Sequence, residues 1–155
     1  MVNPLADLNL PLEELQELRK KLVVSWERAN RASIEADGKM QSRYDTQKEE
    51  YAAEATMIQS QIDTVDRLID CLENLQRPES VDEIQIGHIV QVQVEDDDPM
   101  NILLLEDLGG SVLSGIQLIS TQSPMGKAIL GRKAGETVVY QGPAGGMVAR
   151  IMAIF

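Results

Sequence analysis

The sequence predicts an α+β protein in two parts: an N-terminal antiparallel coiled-coil hairpin, then a small antiparallel-sheet domain carrying one short helix. Three observations predict it. Between residues 12 and 76 the apolar positions recur at alternating spacings of three and four, the period of a coiled-coil seam. The pattern runs in two tracts that mirror each other about residue 40, so the chain is expected to reverse there. Beyond Pro78 the period falls to two, the signature of half-buried strands.

In order along the chain, residues 1–11 contain Asn3-Pro4 and Leu10-Pro11 and read as an extended arm. Pro11 suits the first turn of a helix, and Glu13, Glu14 and Glu17 complement the positive end of its dipole. The seam of this first helix is Leu15, Leu18, Leu22, Ser25, Ala29, Ala32 and Ala36, and Gly38 supplies a left-handed cap. The second seam is Tyr44, Lys48, Tyr51, Ala55, Ile58, Ile62, Val65, Ile69 and Leu72. Reversal about residue 40 puts Leu15 across from Val65, Leu22 from Ile58, Ala29 from Tyr51 and Ala36 from Tyr44. Rings then oppose methyl groups, which fills a narrow seam without voids. At 1.5 Å per residue the first helix is roughly 37 Å long, so the finger, residues 12–76, carries its tip far from the rest of the chain. Proline ends it, and residues 77–83 form a polar linker.

The second domain spans residues 84–155 and is read as five strands. Ile84, Ile86 and Ile89 to Val94 form the first, Asn101 to Glu106 the second, and Val112 to Ile119 the third. Thr137 to Gln141 and Met147 to Phe155 are the last two. Between the third and fourth, Ser123 is a helix N-cap, Pro124 the first helical residue and Gly131 the stop.

Charge narrows the partners. With 14 Lys plus Arg against 25 Asp plus Glu, the net charge of −11 opposes a phosphate backbone, so no independent nucleic-acid binding is expected. Both halves are acidic: residues 1–78 carry 10 bases and 15 acids, and residues 79–155 carry 4 and 10. A basic protein surface is the favoured partner. No apolar stretch approaches a membrane span and no signal segment is present, so a cytoplasmic protein is expected, without membrane association. The lone Cys71 fits a reducing compartment and, next to Leu72, reads as a structural thiol. His88 has no second ligand for a transition metal and reads as structural. Glu95 to Asp98 read as a solvated hairpin loop, and Trp26 as a ring packed on the flank of the hairpin.

The segment Ser123-Pro-Met-Gly-Lys-Ala-Ile-Leu-Gly131, followed by Arg-Lys-Ala-Gly135-Glu136, closely resembles the C-terminal signature of the Gre transcript cleavage factors of bacterial RNA polymerase. Gly146 to Ile154 resembles the strand that closes that domain, and Tyr44 with Lys48-Glu49-Glu50 resembles the opening of the family's descending helix. The resemblance implies a coiled-coil finger followed by a globular domain similar to the FK506-binding proteins. It also implies a partner, core RNA polymerase, with the finger inserted through the secondary channel and the globular domain at its rim. Ser120, Ser123, Pro124 and Met125 become the candidate polymerase-binding surface. In the family, two acids at the tip in an Asp-x-x-Glu arrangement help hold the polymerase's second catalytic magnesium. Alignment on Tyr44 puts Asp37 at the first acidic position and Met40 at the second. A thioether cannot replace a carboxylate on a hard cation. The tip residues Glu35, Asp37, Gly38, Met40, Tyr44 and Asp45 thus lack the family's pair, leaving Asp37 as the one family-position ligand toward the shared magnesium.

The expectation is therefore a bacterial transcription elongation regulator, not itself an enzyme, that modulates elongation or pausing without full cleavage-factor activity. It holds no cofactor of its own and touches the polymerase magnesium at most indirectly. The alternative within the family is a cleavage factor that uses Glu35 or Asp45 beside Asp37. Prolyl isomerase activity is disfavoured, because only Tyr140 and Phe155 could line an aromatic pocket in the second domain. A third class, a dimeric coiled-coil adaptor without a polymerase role, draws on Leu5, Leu8, Leu10, Val23, Leu68 and Leu75. The oligomeric state expected on the polymerase reading is a monomer or weak dimer.

Overall fold

A computed structural model of the protein describes residues 9–37 and 42–155, with side chains for all of these except residues 36, 37 and 42–45. Two compact units divide the chain, one of Leu12–Glu73 and one that includes Asn74–Phe155. The first is built from α1 (Asn9–Asp37) and α2 (Ser42–Glu73). The expected arm, residues 1–11, lies outside the described residues except for Asn9, Leu10 and Pro11, which are already helical. Proline is tolerated there because first-turn N–H groups have no intrahelical acceptor. The expected cap Gly38 also lies outside the described residues.

The seam of α2 follows the heptads at Ala55, Ile58, Ile62, Val65 and Leu72, all buried, but Leu68, expected outside the seam, is buried while the expected Ile69 is only half-buried. That of α1 departs from them. Leu15 and Ala29 are buried, but Leu18 is 42% exposed and Ser25 is exposed. Leu22, Val23 and Trp26 instead join Ala29, Ala55, Ile58 and Ile62 in one cluster. Residues 15, 19, 22, 26, 29 and 33 also alternate by four and three, so the same helix offers two phasings of its stripe. The observed one covers an indole, and the expected one would have covered a serine hydroxyl. Burying the larger apolar area and leaving the hydroxyl in water decides between them. Arg19, on this second phasing, hydrogen-bonds Asp66 through Nε across the hairpin. That pair and the cluster place the mirror nearer residue 42 than residue 40.

α2 ends at Glu73, three residues before the expected Gln76. Residues 76–80 do not span freely as a linker, because they are bound to the sheet unit. Arg77 Nη2 donates to the carbonyl of Phe155 at 2.8 Å. The Gln76 carbonyl passes so close to Gly87 (φ +98°) that a Cβ there would sit 2.7 Å from it. His88, fully buried, accepts the Gln85 N–H at Nδ1 and contacts the Ser80 carbonyl through Nε2, each at 2.8 Å. A ring that accepts at Nδ1 and faces a carbonyl at Nε2 is the neutral Nε2–H tautomer.

The sheet has six strands in the order β3-β4-β2-β1-β6-β5, from β1 (Ile89–Val94), β2 (Met100–Leu105), β3 (Val112–Leu113), β4 (Ile116–Ser120), β5 (Thr137–Gly142) and β6 (Gly145–Ile154). Two expectations are corrected here. The single strand expected over 112–119 is a hairpin, because Ser114 (φ 51°) and Gly115 (φ 78°) form a two-residue turn with Leu113 paired to Ile116. The sheet is mostly, not wholly, antiparallel, since β2 and β4 run parallel with Leu103 beside Leu118. The connection from β4 to β5 carries α3 (Pro124–Ile129), which lies over one face. There Met125 and Ile129 pack with Ile84, Val90, Val92, Ile102, Leu104, Val138, Ala149 and Ile151. On the other face Ile89, Leu103, Leu105, Ile116 and Leu118 are also buried, which explains the unbroken run Ile102-Leu103-Leu104-Leu105 where alternation would otherwise appear. In the β1–β2 loop Glu95 (φ 50°) exchanges hydrogen bonds with Val148: its N–H donates to the Val148 carbonyl and its carboxylate accepts the Val148 N–H. Asp96 to Asp98 are exposed, as a solvated loop requires.

Two measurements check this packing. Ala29→Leu should overfill the seam and cost roughly 1–3 kcal/mol, while Ala53→Leu, at an exposed position, should change the urea midpoint little. Burial depresses the His88 pKa below 6.5, so the unfolded chain takes up the proton first. The contribution of the neutral ring is complete above pH 6.5 and is lost as pH falls below it toward the folded value. Between pH 7.5 and 5 the wild type should lose more stability than His88→Gln, which keeps one donor and one acceptor.

Candidate functional site

The tip of the hairpin is bounded by the last turn of α1 and the first of α2. Glu35 lies exposed in that last turn and Asp37 ends it, with no base in the turn. A helix C-terminus carries partial negative charge, so acids there cost stability where a lysine or arginine would add it. The end of α1 is therefore electronegative, while the residues that follow include the bases Lys39 and Arg43 and the start of α2 brings the positive end of its own dipole. Asp45 belongs to the first turn of α2, and Tyr44 precedes it. The side chains of Asp37, Tyr44 and Asp45 lie outside the described residues, as do Gly38 and Met40 altogether.

The chemistry of the donor set is nevertheless decided by residue identity. Magnesium takes hard oxygen ligands, and the residue three after Asp37 is the thioether Met40. Positions 37 and 40 therefore do not supply a carboxylate pair to a hard cation. Among the described residues no group of three His, Cys, Asp or Glu side chains is placed to hold a metal.

The second candidate surface, around Ser120 to Met125, is a tightly wired turn. Ser123 caps α3: its Oγ accepts the Gly126 N–H at 3.1 Å and donates to the Ser120 carbonyl at 2.7 Å. Ser120 Oγ and Thr121 Oγ1 both donate to the Glu106 carbonyl, at 3.1 and 3.0 Å. That ties the turn to the end of β2. A Cβ on Gly126 would collide with the Ser120 carbonyl oxygen, and one on Gly109 would lie 2.6 Å from the Ser120 nitrogen. Pro124 and Gln122 are exposed, Ser120 and Ser123 half-buried. Met125 is a correction: at 8% exposure it belongs to the core under α3, because the helix turns that side of its first turn toward the sheet. The structure thus brings Ser120, Ser123 and Pro124 together and removes Met125 from the surface.

Sequence reading missed the Glu106 carbonyl and the two glycines as the parts that fix this turn. A usable signal existed in Gly126, since glycine inside a helix is costly and needs a packing reason. His88 stays out of the site as a structural residue. Tyr140 packs beside the core, and burial, with the nearby Glu95 charge adding, raises its pKa above 10. No helix among the described residues is long and apolar enough to cross a membrane.

Comparison with known proteins agrees with this architecture. A family model described as transcription elongation factor, GreA/GreB, C-term matches residues 78–155. The chain is 31% identical over 150 residues to transcription elongation factor GreA of Limosilactobacillus fermentum, covering 96% of this chain and 90% of that protein. It is 28% identical over 149 residues to GreA of Streptococcus pneumoniae, covering 95% and 88%. Among solved structures, GreA factor homolog 1 (Gfh1) of Thermus thermophilus matches with a TM-score of 0.42 at 22% identity, over 93% of this chain and 94% of that one.

The wiring of the turn is open to test. Ser123→Ala removes the cap and should cost about 1 kcal/mol, whereas Gly126→Ala, which drives a methyl into the Ser120 carbonyl, should cost clearly more in the same urea titration.

Proposed function

The chain belongs to the GreA/GreB family of transcription elongation factors, and from that premise we propose that it binds core RNA polymerase with its finger in the secondary channel and modulates elongation or pausing without full cleavage-factor activity. The observation that carries the reading is Met40. A factor that completes the polymerase's second metal site needs two carboxylates at a fixed separation, and here the second position holds a neutral, soft side chain. Asp37 alone cannot complete that pair, and the finger can still occupy the channel and compete for it. The exposed Glu35, two residues before Asp37 on α1, is rotated about 200° from it around the helix axis. It cannot reproduce an i, i+3 pair. The capped turn at Ser120, Ser123 and Pro124 gives the globular unit a fixed surface of its own.

In this reading the protein performs no chemistry itself. What it controls is access of water, metal and displaced RNA to the polymerase's own active centre, through occupancy of the channel.

On a stalled, backtracked elongation complex the full-length chain should displace an authentic cleavage factor while stimulating transcript cleavage weakly or not at all. Met40→Glu should raise cleavage in a magnesium-dependent way, and Asp37→Asn in the Met40→Glu background should remove the gain. Strong cleavage by the wild type would overturn the modulator reading and assign the partner of Asp37 to Glu35 or Asp45.

A further inference from the structure

The two edges of the sheet are unlike. At one end β3 is two residues long, too short to template another strand. At the other, β5 runs six residues, Thr-Val-Val-Tyr-Gln-Gly, in unbroken register with β6, and among the described residues no strand pairs with its outer side. It carries no charge, no proline and no bulge, the devices that commonly blunt an edge.

The hydrogen bonds fix which backbone groups are open. Val139 stands opposite Val148, and both backbone groups of Val148 turn to Glu95: its carbonyl accepts the Glu95 N–H at 2.8 Å, and its N–H donates to the Glu95 carboxylate at 2.9 Å. Val148 therefore exchanges nothing with β5, and the Val139 N–H and carbonyl point outward from the edge. Alternation gives the same direction to the backbone of Thr137 and Gln141. Their side chains share a face as well. Val138 is in the core under α3, whereas Thr137, Val139 and Gln141 are exposed, Val139 by 68%, with Val148 beside it 41% exposed.

This strand is its own complement. A two-fold axis at Val139 lays a second β5 antiparallel to the first, so that Val139 meets its own copy and Thr137 meets Gln141, each pair exchanging both backbone hydrogen bonds. Val148 and Val139 of each copy then form one apolar row flanked by polar pairs. Sliding the register would set Val139 against Thr137 or Gln141 and leave an outward-facing residue unpaired. Charge does not obstruct the pairing. Arg150, in register with Thr137, would lie roughly 20 Å from its copy, well beyond a screening length of about 8 Å.

We propose that β5 is a self-association edge, through which two copies of this chain pair antiparallel about Val139 into one continuous sheet. The inference is independent of the polymerase reading. The contact is one strand wide and each copy carries a net charge of −11, so the dimer is weak and forms at high protein concentration. Repulsion between acidic copies also sets the salt dependence: association tightens as salt rises.

Sedimentation equilibrium of the full chain, over a range of protein and salt concentrations, tests this, with melting temperature measured beside it. Val139→Lys, at an exposed position, should melt like wild type and weaken self-association about tenfold or more. Thr137→Glu and Gln141→Lys together should associate about threefold or more tighter than the two single changes predict. The two positions meet only across the axis, since within one chain they lie roughly 13 Å apart. A wild type still monomeric at about 1 mM would overturn the proposal. So would a dimer indifferent to Val139→Lys, whose interface must lie elsewhere, and strictly additive effects of the two charge changes would exclude the pairing about Val139.

Discussion

The contact between α1 and α2 is the constraint on which the rest depends. A stretch that carries acids at a helix C-terminus is held in place only if stabilised elsewhere, and on this chain the stabilising residues lie well back from the tip. Ala29, Ala55, Ile58 and Ile62, with Leu22, Val23 and Trp26 beside them, form an apolar cluster in the hairpin. Each helix is polar over most of its surface and draws its stability mainly from packing, so the pairing of their stripes supplies the order. The cost of the electronegative end is thereby separated in sequence from the residues that offset it.

The globular unit solves a related problem with backbone rather than side chains. Its exposed turn before α3 is fixed because Ser120, Thr121 and Ser123 spend their hydroxyls on carbonyls and an N–H, and because Gly109 and Gly126 admit backbone where a Cβ would not fit. Such a turn has few alternative conformations. A surface that loses little entropy on binding can contribute affinity from a small area, and the same turn is tied to the end of β2 through the Glu106 carbonyl.

Most of the architecture was legible because period and punctuation agree with burial. The heptads of α2, the Ser123 cap, Pro124 and the stop at Gly131 (φ 81°) all stand where the residue types require. The misreadings have separate causes. On α1 two heptad phasings coexist, and only the partner helix decides whether Ser25 or Trp26 is covered. Within 112–119 the Ser114-Gly115 turn was hidden because apolar residues flank it on both sides. The parallel pairing of β2 with β4 is a matter of topology that no local pattern encodes. At the site, residue identity carried the chemistry of the tip, whereas Met125 needed the fold to show which side of a six-residue helix meets the sheet. Charge summed over a whole half also hid its order, nine acids in residues 79–126 followed by four bases in residues 127–155.

That ordering of charge bears on how an acidic chain can approach a large partner at all. With a net charge of −11, long-range attraction to any acidic surface is absent, and screening confines the remaining interactions to roughly 8 Å at physiological salt. Recognition then depends on local sign, not total sign. Along the globular half the signs are sorted in sequence, nine acids and no base over residues 79–126 and four bases with one acid over residues 127–155. Within a screening length each stretch presents its own sign, so which stretch meets a partner counts for more than the total charge.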